Sequence, residues 1–240
     1  MKRKLFALAL GGAALLLAWI LGVPLPSRAN PGALWFFVKI CRAEAKPTAP
    51  CIYHDAHDKF TIIKDISRWK TTAYLLTPTD RVHGIESPLI FTEPVAEFWH
   101  FGWVEAVRYL GRPPERIGLA INSVVGRSQN QLHIHLSCAK PSVVSALARA
   151  RVTNRWGAAP FVHVVGQTYN VIRTDSLSAA HSPFRLVAQL PGARADMRDR
   201  TIAVIGAPGG RSFYILADFA HGADPGSAED LLDESCSHAR

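Results

Sequence analysis

The chain has 240 residues, 48% hydrophobic and 19% charged, with a formal net charge of +8. This is globular composition, and one domain of some 200 residues buries a full core without staples. Lys and Arg are scattered, with no basic run beyond Lys2-Arg-Lys4, and the stacking aromatics of nucleic-acid modules are missing; that argues against nucleic acid as a partner and leaves anionic lipid or a phosphorylated substrate.

Residues 5–23 are uncharged and, at about 1.5 Å per residue, long enough to cross a bilayer core. The stretch is longer than a signal-peptide core, Pro24 and Pro26 end it, and no Ala-x-Ala cleavage site stands between its end and Arg28. Residues 1–26 are therefore expected to be an uncleaved anchor, with a cleaved signal peptide as the alternative, and 27–240 the functional domain. Three leading positive charges hold the N-terminus in the cytoplasm, so the expected location is a bacterial inner membrane, crossed once, with the domain in the periplasm.

Four cysteines, Cys41, Cys51, Cys138 and Cys236, suit that oxidising compartment. No pair has Cys-x2-Cys spacing. Of the three connectivities, Cys41–Cys51 with Cys138–Cys236 is preferred, because the first closes a short Pro-containing loop and the second ties the tail to a strand; free buried thiols are the alternative.

In chain order, 33–40 is helical or interfacial, and Trp35, Phe36 and Phe37 suit either setting. Strands are expected at Phe60–Lys64 and 73–77, then a loop carrying Arg81, His83 and Glu86. A helix is expected over 92–110, with Trp99, Trp103, Val107 and Leu110 on its buried face. Gly111-Arg-Pro-Pro114 breaks it. A strand at Ile117–Ile121, a polar loop at 122–130 and a strand at 132–137 read as a long hairpin. In the second strand Gln131, His133, His135 and Ser137 share one face, and Leu132, Ile134 and Leu136 the other. A helix at 141–151 follows, with Val143, Val144 and Leu147 inward, then strands at 161–165, 201–205 and 211–217. Ser227-Ala-Glu-Asp230 has the pattern of a cap on a short acidic helix.

Gln131-Leu-His-Ile-His-Leu-Ser137 resembles the histidine triad signature, with the first histidine replaced by Gln131. Glu86-Ser-Pro-Leu89, Leu119-Ala-Ile-Asn-Ser123, Gly126-Arg-Ser-Gln-Asn130, His133-Ile-His135, Ser137-Cys138 and Ser182-Pro-Phe184 are similar to the CDP-diacylglycerol pyrophosphatase family, over about Cys41 to Cys236. The resemblance implies an α+β fold: a HIT-like antiparallel β-sheet with flanking helices, here preceded by one transmembrane helix. It also implies hydrolysis of CDP-diacylglycerol to CMP and phosphatidate through a CMP-histidine intermediate. The middle position of the triad maps to His133 as nucleophile, and His135 supports it.

Nucleophilic chemistry of this kind needs neutral imidazole and donors for the oxygens around phosphorus. The candidate donors are Gln131, Asn122, Ser123, Ser128, Gln129 and Ser137, with Arg127 as the cation and Lys64 as a further phosphate contact. No acidic cluster accompanies the histidines in the local sequence, so no cofactor and no metal is expected. The alternatives are zinc, with His83, His100, His163 or an acidic residue from elsewhere in the chain as a third ligand, a non-catalytic lipid- or nucleotide-binding module, and the same chemistry on another nucleotide diphosphate. The expected partners are CDP-diacylglycerol and the bilayer. Whether the C-terminal strands extend the sheet within one chain or the protein forms a homodimer stays open.

Overall fold

A computed structural model describes residues 30–43, 48–67, 69–156 and 162–237. The expected anchor lies outside the described residues, and none of the described helices is long and apolar enough to cross a membrane.

Helix α1 (Ala33–Ala43) buries Ala33, Leu34, Phe37, Val38 and Cys41, the i, i+3, i+4 stripe of a helix packed on one side. It lies on strands β1 (Cys51–Asp55) and β2 (Phe60–Lys64), where Cys41 is bonded to Cys51. Strand β1 was not expected: it is an edge strand, half-buried after Cys51, so no apolar alternation marks it. Strand β3 (Tyr74–Pro78) pairs with β2 along its whole length.

Helix α2 (Phe98–Leu110) starts six residues later than the apolar spacing implied. The amide and hydroxyl of Thr92 both bond the Leu89 carbonyl, closing one 3-10 turn, and 95–97 form another before α2 begins. The inward face also differs from the expectation. Phe98, Trp99, Gly102, Ala106 and Leu110 are buried, Trp103 is half-buried against Phe213, and Val107 faces solvent. Fully burying Phe98 or Trp99 contributes roughly 1.5–3 kcal/mol each. Gly102 lets the helix settle onto the sheet: a Cβ there would lie 3.1 Å from the Leu119 side chain. Gly111, at φ +57, ends α2 in the left-handed cap that glycine adopts without strain.

Strands β4 (Ile117–Ile121) and β5 (Ile134–Ala139) form the long hairpin. Helix α3 (Pro141–Arg149), two residues shorter than expected, buries Val143 and Leu147 and leaves Val144 half-buried. Strand β6 (Val162–Val164) turns through Gly166 into β7 (Gln167–Thr174), which the expectation missed because its polar positions mask the alternation. Helix α4 (Pro183–Val187) was also not expected. Strands β8 (Arg200–Gly206) and β9 (Phe213–Phe219) precede a 3-10 turn, Ala228–Leu231, and the two-residue strand β10 (Leu232–Asp233). Ser227 makes no side-chain cap to that turn.

The strands form one antiparallel sheet in the order β1-β2-β3-β5-β4-β8-β9-β7-β6, with β10 also pairing with β5. The C-terminal strands thus extend the sheet within the chain, through β4 and β8. Both faces are covered. Leu119, Ile134, Leu136 and Cys138 pack with Phe98, Trp99 and Phe184 on one side, and Ala120, Ala139, Ala203 and Leu216 pack with Val143 and Leu147 on the other.

Candidate active site

Strand β5 lies centrally, so both sets of its alternating side chains are enclosed: Ile134, Leu136 and Cys138 face α2, while His133, His135 and Ser137 lie on the opposite side. Register then builds the floor of a pocket. Ile63 faces Leu75 across β2 and β3, and Leu75 and Ala120 flank His135 from β3 and β4. The cavity there measures about 570 Å³ and is bordered by His133, His135, Asn122, Ser128, Gln129, Lys64, Lys70 and Glu229 on its polar side.

The two imidazole rings sit 4.9 Å apart at 65°. His133 Nδ1 lies 2.7 Å from the Gln131 carbonyl oxygen, which can only accept, so Nδ1 carries the proton. Nε2 is left with its lone pair. Burial, reinforced by His135, lowers the His133 pKa to about 4, so the ring is neutral at physiological pH. Burial also lowers His135, against the pull of Glu229.

The fold brings an acidic wall that the sequence reading missed. Glu229 Oε1 lies 3.3 Å from His135 Nδ1, outside hydrogen-bonding geometry, and neither His135 nitrogen has a hydrogen-bond partner within the protein. Lys70 pairs with Glu229, with Glu234 at 2.7 Å and with Asp65 at 3.5 Å. Burial alone would raise the Glu229 carboxyl, but His135, the Glu234 side chain and Lys70 outweigh it and hold Glu229 ionised. Glu234 is pushed the other way by burial and by the facing Glu229. Asn122 fixes this wall to the end of β4: its amide donates to Glu229 Oε2 at 3.0 Å and its oxygen accepts from the Glu229 backbone at 3.1 Å. Only the Ser-Ala-Glu-Asp pattern marked Glu229, and it read as a helix cap.

His135, Glu229 and Glu234 offer ligand atoms within 4.8 Å of one another. The Lys70 ammonium already pairs with both carboxylates, so a divalent ion would have to displace a cation belonging to the chain. Of the third ligands expected for a zinc site, His83, His100 and His163 do not border this pocket, and the acidic residues that do approach His135 are Glu229 and Glu234.

Several sequence-selected donors hold the pocket together and do not border it. Arg127 is turned to Glu86 in a bidentate pair, its side chain only 6% exposed, and it packs so closely over Gly84, at φ +46, that a Cβ there would overlap the guanidinium. Expected as the phosphate cation, it is matched here by Glu86 and does not border the pocket. Gln131 donates to the Pro78 and Asp80 carbonyls and accepts from the Val82 amide, pinning the 78–82 loop to β5. Ser123 bonds the Pro225 carbonyl and accepts the amides of Val125 and Gly126, and Ser137 bonds the Thr72 and Asp233 carbonyls. Gln129 does border the pocket, and its oxygen accepts the Leu34 amide, capping α1 from 95 residues away. Lys64 also borders it, donating to the carbonyls of Lys70 and Ala73. Cys138 is bonded to Cys236.

A family model described as CDP-diacylglycerol pyrophosphatase matches residues 29–240. The chain belongs to this family. A CDP-diacylglycerol pyrophosphatase of Yersinia pestis is 36% identical over 226 residues, 86% of this chain and 84% of that protein. Among solved structures, yeast Ap4A phosphorylase Apa2 in complex with AMP aligns at 10% identity with a TM-score of 0.47, over 77% of this chain and 64% of that one. The same enzyme in complex with Ap4A aligns at 7% identity and 0.48, over 77% and 65%. This chain therefore spans less than two thirds of either structure. Within the family, the pocket that joins His133, His135 and Glu229 is the candidate active site.

Proposed function

We propose that this chain hydrolyses the pyrophosphate bond of CDP-diacylglycerol, releasing CMP and phosphatidate, with His133 as nucleophile. The family membership supports the substrate. The observation that carries the mechanism is the Gln131 carbonyl bond at His133 Nδ1, which leaves an unprotonated Nε2 on a neutral ring in the pocket.

In the first step Nε2 attacks the CMP-side phosphorus. The N–P bond forms, and the P–O bond to phosphatidate breaks with its electron pair on the leaving phosphate. That anion is stable and needs little protonation, while the positive charge gained by the ring is stabilised by the Nδ1–H bond to the Gln131 carbonyl. In the second step water attacks the same phosphorus and the N–P bond breaks, restoring neutral His133 and releasing CMP. His135 takes the proton of that water and passes it on to solvent, and the nearby Glu229 carboxylate, held in place by Lys70 and Asn122, stabilises the imidazolium that forms in between. Residues 1–26 act as the membrane anchor and 27–240 as an exported HIT-like domain, a reading supported by the uncharged run of residues 5–23 and by the two disulfides.

Rapid quenching of enzyme mixed with cytidine-labelled substrate tests this. Label is expected on the peptide containing His133, stable to base and lost in acid. Label on any other residue, or turnover with no adduct in a Glu229→Gln variant made to slow the second step, would overturn the assignment.

A further inference from the structure

The pocket has a second character that the chemistry at His133 does not use. Besides the polar groups, Leu34 and Phe37 of α1, Ile63 and Leu75 of β2 and β3, and Ile66 and Trp69 of the loop after β2 border the same cavity. Most of this flank is explained by packing, since α1 covers Cys51 and Ile63. Trp69 is different. It is 77% exposed, more than any other large apolar side chain among the described residues, and Ile66 beside it is 45% exposed. An indole left in water at a pocket mouth adds little to folding, while at a lipid surface it has a favourable place, with the amphipathic ring at the headgroup level.

Two more observations select a lipid surface over a protein partner. The helix that lines the flank begins at Ala33, ten residues after the uncharged run 5–23 ends, a distance of at most about 36 Å of extended chain. That helix also leaves Lys39 and Arg42 exposed, the latter donating to the Thr79 carbonyl while keeping its charge, and both cations suit anionic headgroups.

We propose that Trp69 and Ile66 insert into the surface of an anionic phospholipid bilayer and that the apolar flank behind them receives the glycerol-proximal acyl carbons of a lipid-linked pyrophosphate, so that the substrate reaches His133 without leaving the membrane entirely. This rests on the reading of the pocket as the hydrolytic site. The flank then acts as a port: the diphosphate lies over the imidazoles, and the chains run back past Trp69 into the lipid.

The full-length protein in vesicles of phosphatidylglycerol and phosphatidylcholine separates the port from the chemistry. The double variant Ile66→Ser/Trp69→Ser is compared with the wild type on long-chain CDP-diacylglycerol embedded in the vesicles and on a water-soluble short-chain CDP-diacylglycerol. The ratio of kcat/KM for embedded over soluble substrate is expected to fall about tenfold, mainly through KM expressed as surface mole fraction. An equal loss on both substrates, or no loss on either, overturns the port. A second measurement does not depend on turnover: quenching of tryptophan fluorescence by lipids brominated near the headgroup, wild type against Trp69→Phe. Trp69→Phe is expected to remove a quenched component. Unchanged quenching overturns the proposal even if the hydrolytic reading stands, while loss of the component with no turnover of either substrate would retain the lipid contact and reject the hydrolysis.

Discussion

The two halves of the sheet are built from similar antiparallel strands and contribute differently. The half from β1 to β5 holds the imidazoles and the pocket floor. The half from β6 to β9 packs Tyr169, Ala203 and Leu216 against α3 and surrounds a separate hollow of about 510 Å³ near Arg173 and His181. What that half contributes to the site is the segment leading out of it. Residues 225–236 cross back to the first half, press on the hairpin loop so tightly that a Cβ at Gly126 would lie 2.7 Å from the Gly226 carbonyl, and deliver Glu229, Glu234 and Cys236. One half presents the nucleophile, and the other brings the wall that tunes its neighbour.

The sharpest way to break this division is at the nucleophile. His133→Ala is expected to reduce CMP release at least about a thousandfold with the unfolding midpoint little changed, since the mutation removes a covalent route and leaves the packing of β5 in place. A loss of activity that tracked a loss of stability would merge the two roles. The pH profile tests the same residue. Because His133 titrates at about 4, the acid limb of kcat/KM should fall there and not near 6.5. The linked effect on stability has a definite sign: between pH 6.5 and about 4 the unfolded chain binds a proton that folded His133 does not, so stability declines as the pH falls through that window.

Next in size is the staple between the halves. Cys138–Cys236 closes a separation of 98 residues and Cys41–Cys51 one of 10, so removing the first should cost about 4.7 kcal/mol and the second about 2.7 kcal/mol on loop entropy. Urea unfolding of the two double-serine variants measures the difference; equal losses would mean that the tail is held by its other contacts. Glu229→Gln is expected to lower kcat by about ten- to a hundredfold with a pre-steady-state burst of phosphatidate, because it acts on the second step. A rise in KM alone would make Glu229 a substrate contact. The smallest effect belongs to Arg127→Ala, expected to cost about 1–2 kcal/mol of stability through the unmatched Glu86 while kcat changes little. A kcat loss above tenfold at unchanged stability would return Arg127 to the phosphate.

How much of this was legible depends on distance along the chain. The β4–β5 hairpin and the alternation of His133 and His135 are local patterns, readable from period two and the loop between. The roles of Arg127, Gln131 and Ser137 were not, because donor capacity is written in a residue and its partner is not: Glu86 lies 41 residues from Arg127, and Asp233 lies 96 residues from Ser137. Glu229 was hidden for the same reason, 107 residues from Asn122. Strand β1 and strand β7 escaped because a half-buried strand need not alternate cleanly.

The separation of Asn122 from Glu229 also sets an order in time. Bringing together residues more than a hundred apart is entropically costly until the intervening strands have paired, so the crossing segment docks late in folding. By the same reasoning the histidine face of β5, paired with β3 and β4, is expected to form earlier. Full reactivity therefore waits on the arrival of residues 225–236, and a partly folded chain carries its nucleophile without the machinery to turn it over.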